Sequence, residues 1–325
     1  MAPDHRLDFA TLSEAAQTGT AGHAIYDVIT PKRALPNLRS EGHWWMWRLP
    51  PALDLPLPRA GPLIAALRAS LLAYAPQPVH PLISGHDQGM PLQLEHLAVL
   101  PLALVGLPHG DSRVRGVAAS LPPDSEAERA MMHAIDAWER ATRIKHHRGP
   151  LPLAELRFAG TRVLAERIVN PDDATQHLSA HRWAQPSTVW ASATPIALDG
   201  ECGPIGPPID AQRRKAWKTA EKLIRRSAWY ALAEEARAEV AGEQITVSIT
   251  LDPPIIGGAP VQDHPRFQRA GHERPRRLVH AIVQFPRPVS GPLLLGAGRH
   301  FGLGLCVPMS DSVEASRAPR PSDAR

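Results

Sequence analysis

Cysteines, aromatic residues and long apolar runs are scarce in this sequence of 325 residues. Two cysteines, Cys202 and Cys306, allow one disulfide, whereas a secreted disulfide framework would normally carry more, and no CxxC pair offers a metal site. No apolar run approaches the ~18 residues that span a membrane, and the first residues lack the apolar core of a signal peptide. We therefore expect a soluble cytoplasmic protein without a bound metal ion.

Proline, glycine and clustered basic residues are abundant instead. The 35 prolines and 23 glycines predict many breaks and long loops, and a hydrophobic content of 43% is sufficient for a core. The formal net charge is only +4, but the basic residues are clustered, and such clusters recruit anions through their local field. This composition favours nucleic acid as the partner, ahead of an acidic membrane surface.

Residue periodicity predicts the element order β-α-β-β-α-β in the first half of the chain, which is the ferredoxin-like pattern. Strands are expected at 43–49, 96–105, 112–121 and 155–168. Helices are expected at 59–75 and 124–142. A long loop, 76–95, separates the first helix from the second strand.

The second half repeats part of this order. Strands are expected at 188–199, 243–251, 277–285 and 291–298, with one long helix at 211–240. The predicted fold class is therefore α+β, with tandem ferredoxin-like (RRM-like) folds. The domain boundaries expected from the sequence are a linker or domain remnant at 1–41, a first domain at 42–170, a linker at 171–187, a second domain at 188–310 and a disordered tail at 311–325.

A glycine segment, "GPLLLGAGRHFGLGLCVP" (291–308), permits three interpretations. A dinucleotide site needs a helix after the glycine turn, but Pro308 and the lack of helical periodicity argue against one, and so we expect no cofactor. A kinked strand that packs closely against a helix is the second interpretation. The third is a loop that lets a polyanion backbone approach, and its contacts would be Gly296, Gly298, Arg299, His300, Gly302 and Gly304.

Two basic stretches favour the third interpretation. The helix segment 213–226 has seven Lys or Arg residues against one Glu, and the loop 265–277 has five arginines against one Glu. Because both belong to one ferredoxin-like unit beside the glycine segment, we expect RNA contact. The arginines of the loop are Arg266, Arg269, Arg274, Arg276 and Arg277.

Three segments, 80–122, 189–199 and 276–308, resemble the type I-U (also called I-G) CRISPR Cas-five/Cas-six fusion subunit, a member of the RAMP superfamily of CRISPR RNA-binding proteins. The resemblance implies a crRNA-processing endoribonuclease that remains in the effector complex with the backbone and large subunits, without a membrane or a small-molecule cofactor. Members of the family are usually longer, with a Cas-five-like domain ahead of this region, and we expect most of that domain to be missing here.

The resemblance also implies metal-free cleavage, in which the 2′-OH attacks the adjacent phosphorus and leaves a 2′,3′-cyclic phosphate. Such chemistry needs a group that titrates near neutrality, typically His, and a cation beside the phosphate oxygens. The family places its catalytic His between the first helix and the second strand. His86 is the first choice, because Gly85 permits a turn that exposes it, and His96 and His109 are second choices for protonating the leaving group. The alternative is a non-catalytic subunit that only anchors crRNA.

Overall fold

Two antiparallel sheets, each with helices packed against it, organise the protein. A computed structural model describes residues 34–40, 42–146, 152–170, 175–268 and 274–309. The α+β class and the ferredoxin-like order of elements predicted from the sequence are confirmed by the topology of these two sheets.

The first sheet has the strand order β4-β5-β1-β7-β6, and all neighbouring strands are antiparallel. A small separate hairpin, β2–β3, lies between α2 and β4. The elements of this half are β1 (Trp44–Arg48), α1 (Gly61–Tyr74), α2 (Pro81–Ser84), β2 (His86–Asp87), β3 (Met90–Pro91), β4 (Ala98–Ala103), β5 (Val114–Ser120), α3 (Ser125–His146), β6 (Leu153–Phe158) and β7 (Thr161–Arg167).

Helices α1 and α3 pack on each other over the first sheet because each has an apolar stripe. On α1, Leu63, Leu67 and Leu71 recur at a spacing of four residues and are fully buried. Helix α3 begins where Asp124 accepts hydrogen bonds from the backbone N–H groups of residues 126 and 127, as an N-cap does.

Two expectations for the first half need correction. The strand predicted at 155–168 is a hairpin of β6 and β7, because Ala159 and Gly160 both adopt positive φ (45° and 76°) and close a two-residue turn. The alternation of residues that predicted a single strand continues through this turn, so the turn could not be recognised from the sequence. The predicted loop 76–95 contains α2 and the hairpin β2–β3.

The second sheet has the strand order β10-β11-β8-β12, with β9 paired to β11. Its strands occupy the same relative positions as β4, β5, β1 and β7 of the first sheet. Where the first unit has α3 between its third and last strands, the second has the glycine segment. The elements are α4 (Ala180–Ala184), β8 (Ser187–Ser192), β9 (Ile196–Ala197), α5 (Ala211–Ala231), α6 (Glu234–Glu239), β10 (Thr246–Thr250), β11 (Leu278–Val289) and β12 (Cys306–Met309).

The predicted helix 211–240 is interrupted, and the chain near the N-terminus explains why. Residues 36–38 bond to the interruption: the N–H of Leu38 donates to the carbonyl of Ala231 (2.9 Å), and that of Ala233 donates to the carbonyl of Pro36 (3.1 Å). Residues 34–40, which the sequence analysis assigned to a linker, thus pack against the fold, and Leu35 is only 1% exposed.

The glycine segment also differs from its predicted form. Residues 291–298 form no strand, and Leu294 makes only an isolated bridge to Leu305. The strand that completes the sheet is β12, which the sequence analysis did not anticipate. Cys202 and Cys306 are both free and buried, so the disulfide that the composition allowed is not formed.

The two sheets share buried contacts. The apolar cluster around Trp47 and Leu100 of the first unit also includes Ala191, Leu294 and Leu305 of the second. A second cluster centred on Trp190 and β11 includes Leu35 from the N-terminal segment. The described residues, which begin at Ala34, form one compact body that contains both sheets.

Replacing Gly304 by Ala should destabilise the fold more than replacing Gly242. Both have positive φ (+71° and +91°), which costs an L-residue about 1–2 kcal/mol. A Cβ at Gly304 would lie 1.8 Å from the carbonyl oxygen of Leu295, whereas nothing lies within 4 Å at Gly242. Such overpacking adds roughly 1–3 kcal/mol. Urea unfolding followed by tryptophan fluorescence measures the difference, and equal losses would contradict the close approach.

Candidate functional site

An arginine-lined cleft of about 1050 Å³ opens between residues 200–205, ahead of α5, and the loop that joins β10 to β11. Four of the five predicted arginines line it, and the fifth, Arg269, lies outside the described residues. None of the four forms an ion pair with a described carboxylate, although Glu201 lines the same cleft, so cations outnumber anions there. The four are Arg266, Arg274, Arg276 and Arg277.

The cleft also contains an imidazole that the sequence analysis did not select. His264 lines it, and burial together with the neighbouring His280 lowers the pKa of His264 to about 4. This imidazole is therefore neutral near pH 7. His280 is a structural residue, since its ring nitrogens bond to Ser192 Oγ (2.9 Å) and to the Ala259 carbonyl (3.0 Å).

A buried ion cluster joins the N-terminal segment, the start of β4 and the glycine segment. Oε2 of Glu95 lies 2.7 Å from Nη2 of Arg39, and its Oε1 lies 2.7 Å from Nε of Arg299. Burial alone would raise the pKa of Glu95, but the charges of the two arginines outweigh it and lower that pKa to about 2. Arg299, predicted to contact RNA, is thus paired with a carboxylate that it shares with Arg39.

Two imidazoles stack beside this cluster. The rings of His96 and His300 have centroids 3.6 Å apart and an interplanar angle of 16°. Burial lowers the pKa of both, so both are neutral near pH 7. His300 is only 6% exposed and its Nδ1 lies 3.4 Å from Nη2 of the buried Arg39, which corrects its prediction as an RNA contact.

His96 retains a free lone pair. Its Nδ1 lies 2.9 Å from the carbonyl oxygen of Leu94, and since a carbonyl only accepts, Nδ1 carries the proton. Nε2 is then unprotonated. A Cβ added at Gly85 would lie 3.0 Å from this Nε2 and 3.2 Å from Nη2 of Arg68, so both groups face the Gly85 turn.

Gly85 ends α2 in the left-handed conformation (φ 77°), and His86 follows it as an exposed residue at the start of β2. Nδ1 of His86 lies 3.2 Å from the carbonyl oxygen of Ser84, so Nε2, on the other side of the ring, is directed away from this carbonyl. The lone pair of His96 and a guanidinium thus face the residue that precedes an exposed imidazole.

Arg68 supplies that guanidinium, and the sequence analysis missed it. Its side chain donates to the carbonyl oxygens of Ser84 (2.8 Å) and Leu97 (3.3 Å), which fixes it between α2 and β4. It forms no ion pair with any carboxylate in the part of the chain that the structure describes. Burial lowers its pKa, yet an arginine stays charged. The sequence signal that could have identified Arg68 is a single cationic residue between Leu67 and Leu71 on an otherwise apolar helix.

His109 does not join this group. His96 precedes β4 and His109 follows it, so they lie at opposite ends of a six-residue strand, roughly 20 Å long. The turn around Gly110 packs instead against the carbonyl of Ile256 and against Gly257. His109 is therefore separated from the proposed partner His86.

The four predicted glycines face their own chain. A Cβ at Gly296 would lie 2.3 Å from the carbonyl oxygen of Ala197, and one at Gly298 would lie 2.8 Å from Leu303. Gly304 meets Leu295, and Gly302 lies against Ile64 of α1. This is the close packing of the second interpretation. The exposed side chain of the segment is Phe301.

A family model of CRISPR-associated proteins, described as the GSU0054 family, matches residues 67–308. This chain belongs to that family. The match covers well over half of the chain and includes Arg68, His86, Glu95 and the arginine cleft, whereas Arg39 precedes it.

Other comparisons add little to the assignment to the GSU0054 family. A solved structure described as "An RAMP protein binding different RNA substrates" is 11% identical, with a TM-score of 0.38, and the alignment covers 82% of this chain and 99% of that one. No curated protein matches the sequence. Within the described residues, no three His, Cys, Asp or Glu side chains are grouped to hold a metal, and no helix has the length and apolarity needed to cross a bilayer.

Replacing Glu95 by Gln should strongly destabilise the fold. Arg39 is 3% exposed and would lose its counter-charge; removal of one partner of such a buried pair costs roughly 3–5 kcal/mol. The matched control is Asp54→Asn, which breaks the exposed Arg113–Asp54 pair and should cost less than about 1 kcal/mol. Urea denaturation of both variants measures the contrast, and equal effects would contradict the proposed importance of the cluster.

The same cluster predicts an acid-sensitive stability. The pKa of Glu95 is about 2 in the folded protein and near 4.3 in an unfolded chain. A depressed carboxyl pKa stabilises the fold above the unfolded value, and this contribution is lost as the pH falls from about 4.5 towards 2. Denaturation midpoints across that window should fall more steeply for the wild type than for Glu95→Gln, and parallel profiles would contradict the assignment.

Proposed function

We propose that this chain is an endoribonuclease that cuts CRISPR repeat RNA without a metal ion and remains bound to the product in a type I effector complex. The observation that carries the proposal is the convergence of Nε2 of His96 and Nη2 of Arg68 on Gly85, the residue before the exposed His86. Membership of a CRISPR-associated family supports the choice of substrate. The resemblance to the type I-U (I-G) fusion subunit supports the backbone and large subunits as partners.

The reaction divides among these three side chains. Nε2 of His96, which holds a lone pair, takes the proton of the 2′-OH as the 2′-oxygen bonds to phosphorus. The P–O5′ bond breaks, and the imidazolium of His86 gives its proton to the departing 5′-oxygen. The guanidinium of Arg68 stabilises the charge that develops on the non-bridging oxygens. The products are a 2′,3′-cyclic phosphate and a 5′-hydroxyl.

The arginine cleft supplies the affinity. Arg266, Arg274 and Arg277 are exposed and Arg276 is half-buried, and guanidinium groups pair with phosphate oxygens in a bidentate geometry. Arg269 belongs to the same proposed surface, although it lies outside the described residues. In this proposal the glycine segment contributes to RNA binding through Phe301 rather than through His300.

Replacing His86 by Ala should reduce cleavage about 10²- to 10⁴-fold, the usual contribution of a general acid, while RNA affinity stays unchanged. The assay uses repeat RNA from the protein's own locus in EDTA, under single-turnover conditions, with analysis of the product termini. A substrate with a single 2′-deoxy substitution at the cut must resist cleavage.

The matched controls for this prediction are two other imidazoles. His109→Ala removes an exposed His at the far end of β4, and His264→Ala removes the imidazole of the cleft. His109→Ala should cut at the wild-type rate, and His264→Ala should do so once the protein saturates the RNA, because His264 lines the binding cleft. The proposal is wrong if the wild type fails to cut in EDTA, and the role of His86 is wrong if His264→Ala is the inactive variant.

The alternative is a non-catalytic RNA-binding subunit, and one observation favours it. Neither His86 nor His96 lines the arginine cleft, so a bound backbone could occupy the cleft without reaching the imidazoles. The alternative predicts tight repeat-RNA binding without any cyclic-phosphate product.

Both functions predict that the cleft arginines carry salt-dependent affinity. Replacing Arg277 by Ala should weaken RNA binding and reduce the slope of log K against log[salt] by roughly 0.7 for a single-stranded contact. Arg162→Ala, which removes an exposed cation of β7, is the control and should leave the slope unchanged. Fluorescence anisotropy at several salt concentrations measures both, and an unchanged slope for Arg277→Ala would exclude its phosphate contact.

A further inference from the structure

Phe301 is the apolar residue of the glycine segment that remains open to solvent. Its side chain is 48% exposed, whereas His300 before it is 6% exposed. The backbone at this point is held by the N–H of Phe301, which donates to the Gly298 carbonyl (2.9 Å), and by a bridge to Val99 of β4. The ring is therefore presented on a fixed backbone rather than on a loose loop.

The surroundings of the ring match a site for a flat, anionic ligand. The guanidinium carbon of Arg68 lies over the ring, 5.5 Å from its centroid, and the ring of Phe267 lies 6.5 Å away at an angle of 40°. A depression of about 110 Å³ between the two rings is lined by Ile64 and Pro101 on one side and by Arg266 on the other.

This depression connects the two parts of the proposed site. Arg266 and His264 line both the depression and the arginine cleft. Arg68 contacts Phe301 and also faces the Gly85 turn beside His96. These shared residues place Phe301 between the cleft and the imidazoles.

We propose that Phe301 is a positioning residue that stacks on one RNA base next to the cut phosphodiester, with Phe267 beside it and Arg68 holding the phosphate. This inference rests on the proposed function for the location of the cut, but the stack itself does not require cleavage. Aromatic rings stack on bases without regard to sequence, whereas arginines bind the backbone, and here both occur at one place.

The test uses repeat RNA that carries 2-aminopurine at each position in turn, with 2′-deoxy substitution to block cutting. One position should be quenched on binding to the wild type, because stacking quenches this base. Phe301→Leu should abolish the quench and weaken binding about 5- to 150-fold, the range for loss of one base–aromatic stack. Phe301→Trp, which keeps an aromatic ring, should show the quench and bind with the wild-type affinity.

The chain offers a matched control on α5. Tyr230 is 53% exposed and has the guanidinium of Arg226 at 5.6 Å from its ring centroid, so it reproduces an exposed ring beneath an arginine. Tyr230→Leu should change neither the quench nor the affinity. An abasic nucleotide at the quenched position should remove the difference between the wild type and Phe301→Leu.

The outcomes separate this inference from the proposed function. If the protein binds RNA but never cuts it, a quench that depends on Phe301 still supports the stack. If it cuts RNA but no position is quenched, or Phe301→Leu behaves like Tyr230→Leu, the inference is overturned and the nuclease proposal remains.

Discussion

The ion pairs of Glu95 are the interaction on which the arrangement of the candidate site depends. This carboxylate binds Arg39 from the N-terminal segment and Arg299 from the glycine segment, both at 2.7 Å, and it stands at the start of β4. Three segments that are distant in sequence are thus fixed at one point. Because Arg39 is almost completely buried, removal of Glu95 would leave a buried charge without compensation.

The positions of the two imidazoles follow from this arrangement. Nη2 of Arg39 lies 3.4 Å from Nδ1 of His300, and His300 in turn supports the ring of His96. The cluster therefore holds the ring of His96, while the Leu94 carbonyl keeps its proton on Nδ1 and its lone pair towards the Gly85 turn. An active site that uses an unprotonated imidazole as a base benefits from a rigid support of this kind.

Sequence patterns predicted those parts of the fold that depend on local periodicity and capping. Helix α1 and strand β10 follow directly from apolar spacing, and the turn that exposes His86 follows from Gly85. The position of Arg299 was not predictable, because its carboxylate partner lies 204 residues away in sequence. The role of Arg68 was hidden for the same reason, since a lone arginine on an apolar helix acquires a neighbour only when α2 and β4 fold against it.

The second half has the glycine segment at the position that α3 occupies in the first half, and this difference determines whether the two halves can be separated. Residues 290–305 lie against α1 and β4, where Gly302 meets Ile64 and His300 bonds to Val99. The first half does not carry a complete interior of its own, since Leu294 and Leu305 of the second half fill its apolar cluster. We expect a split made between the sheets to expose this shared interior, and the protein to unfold as one cooperative body rather than as two successive modules.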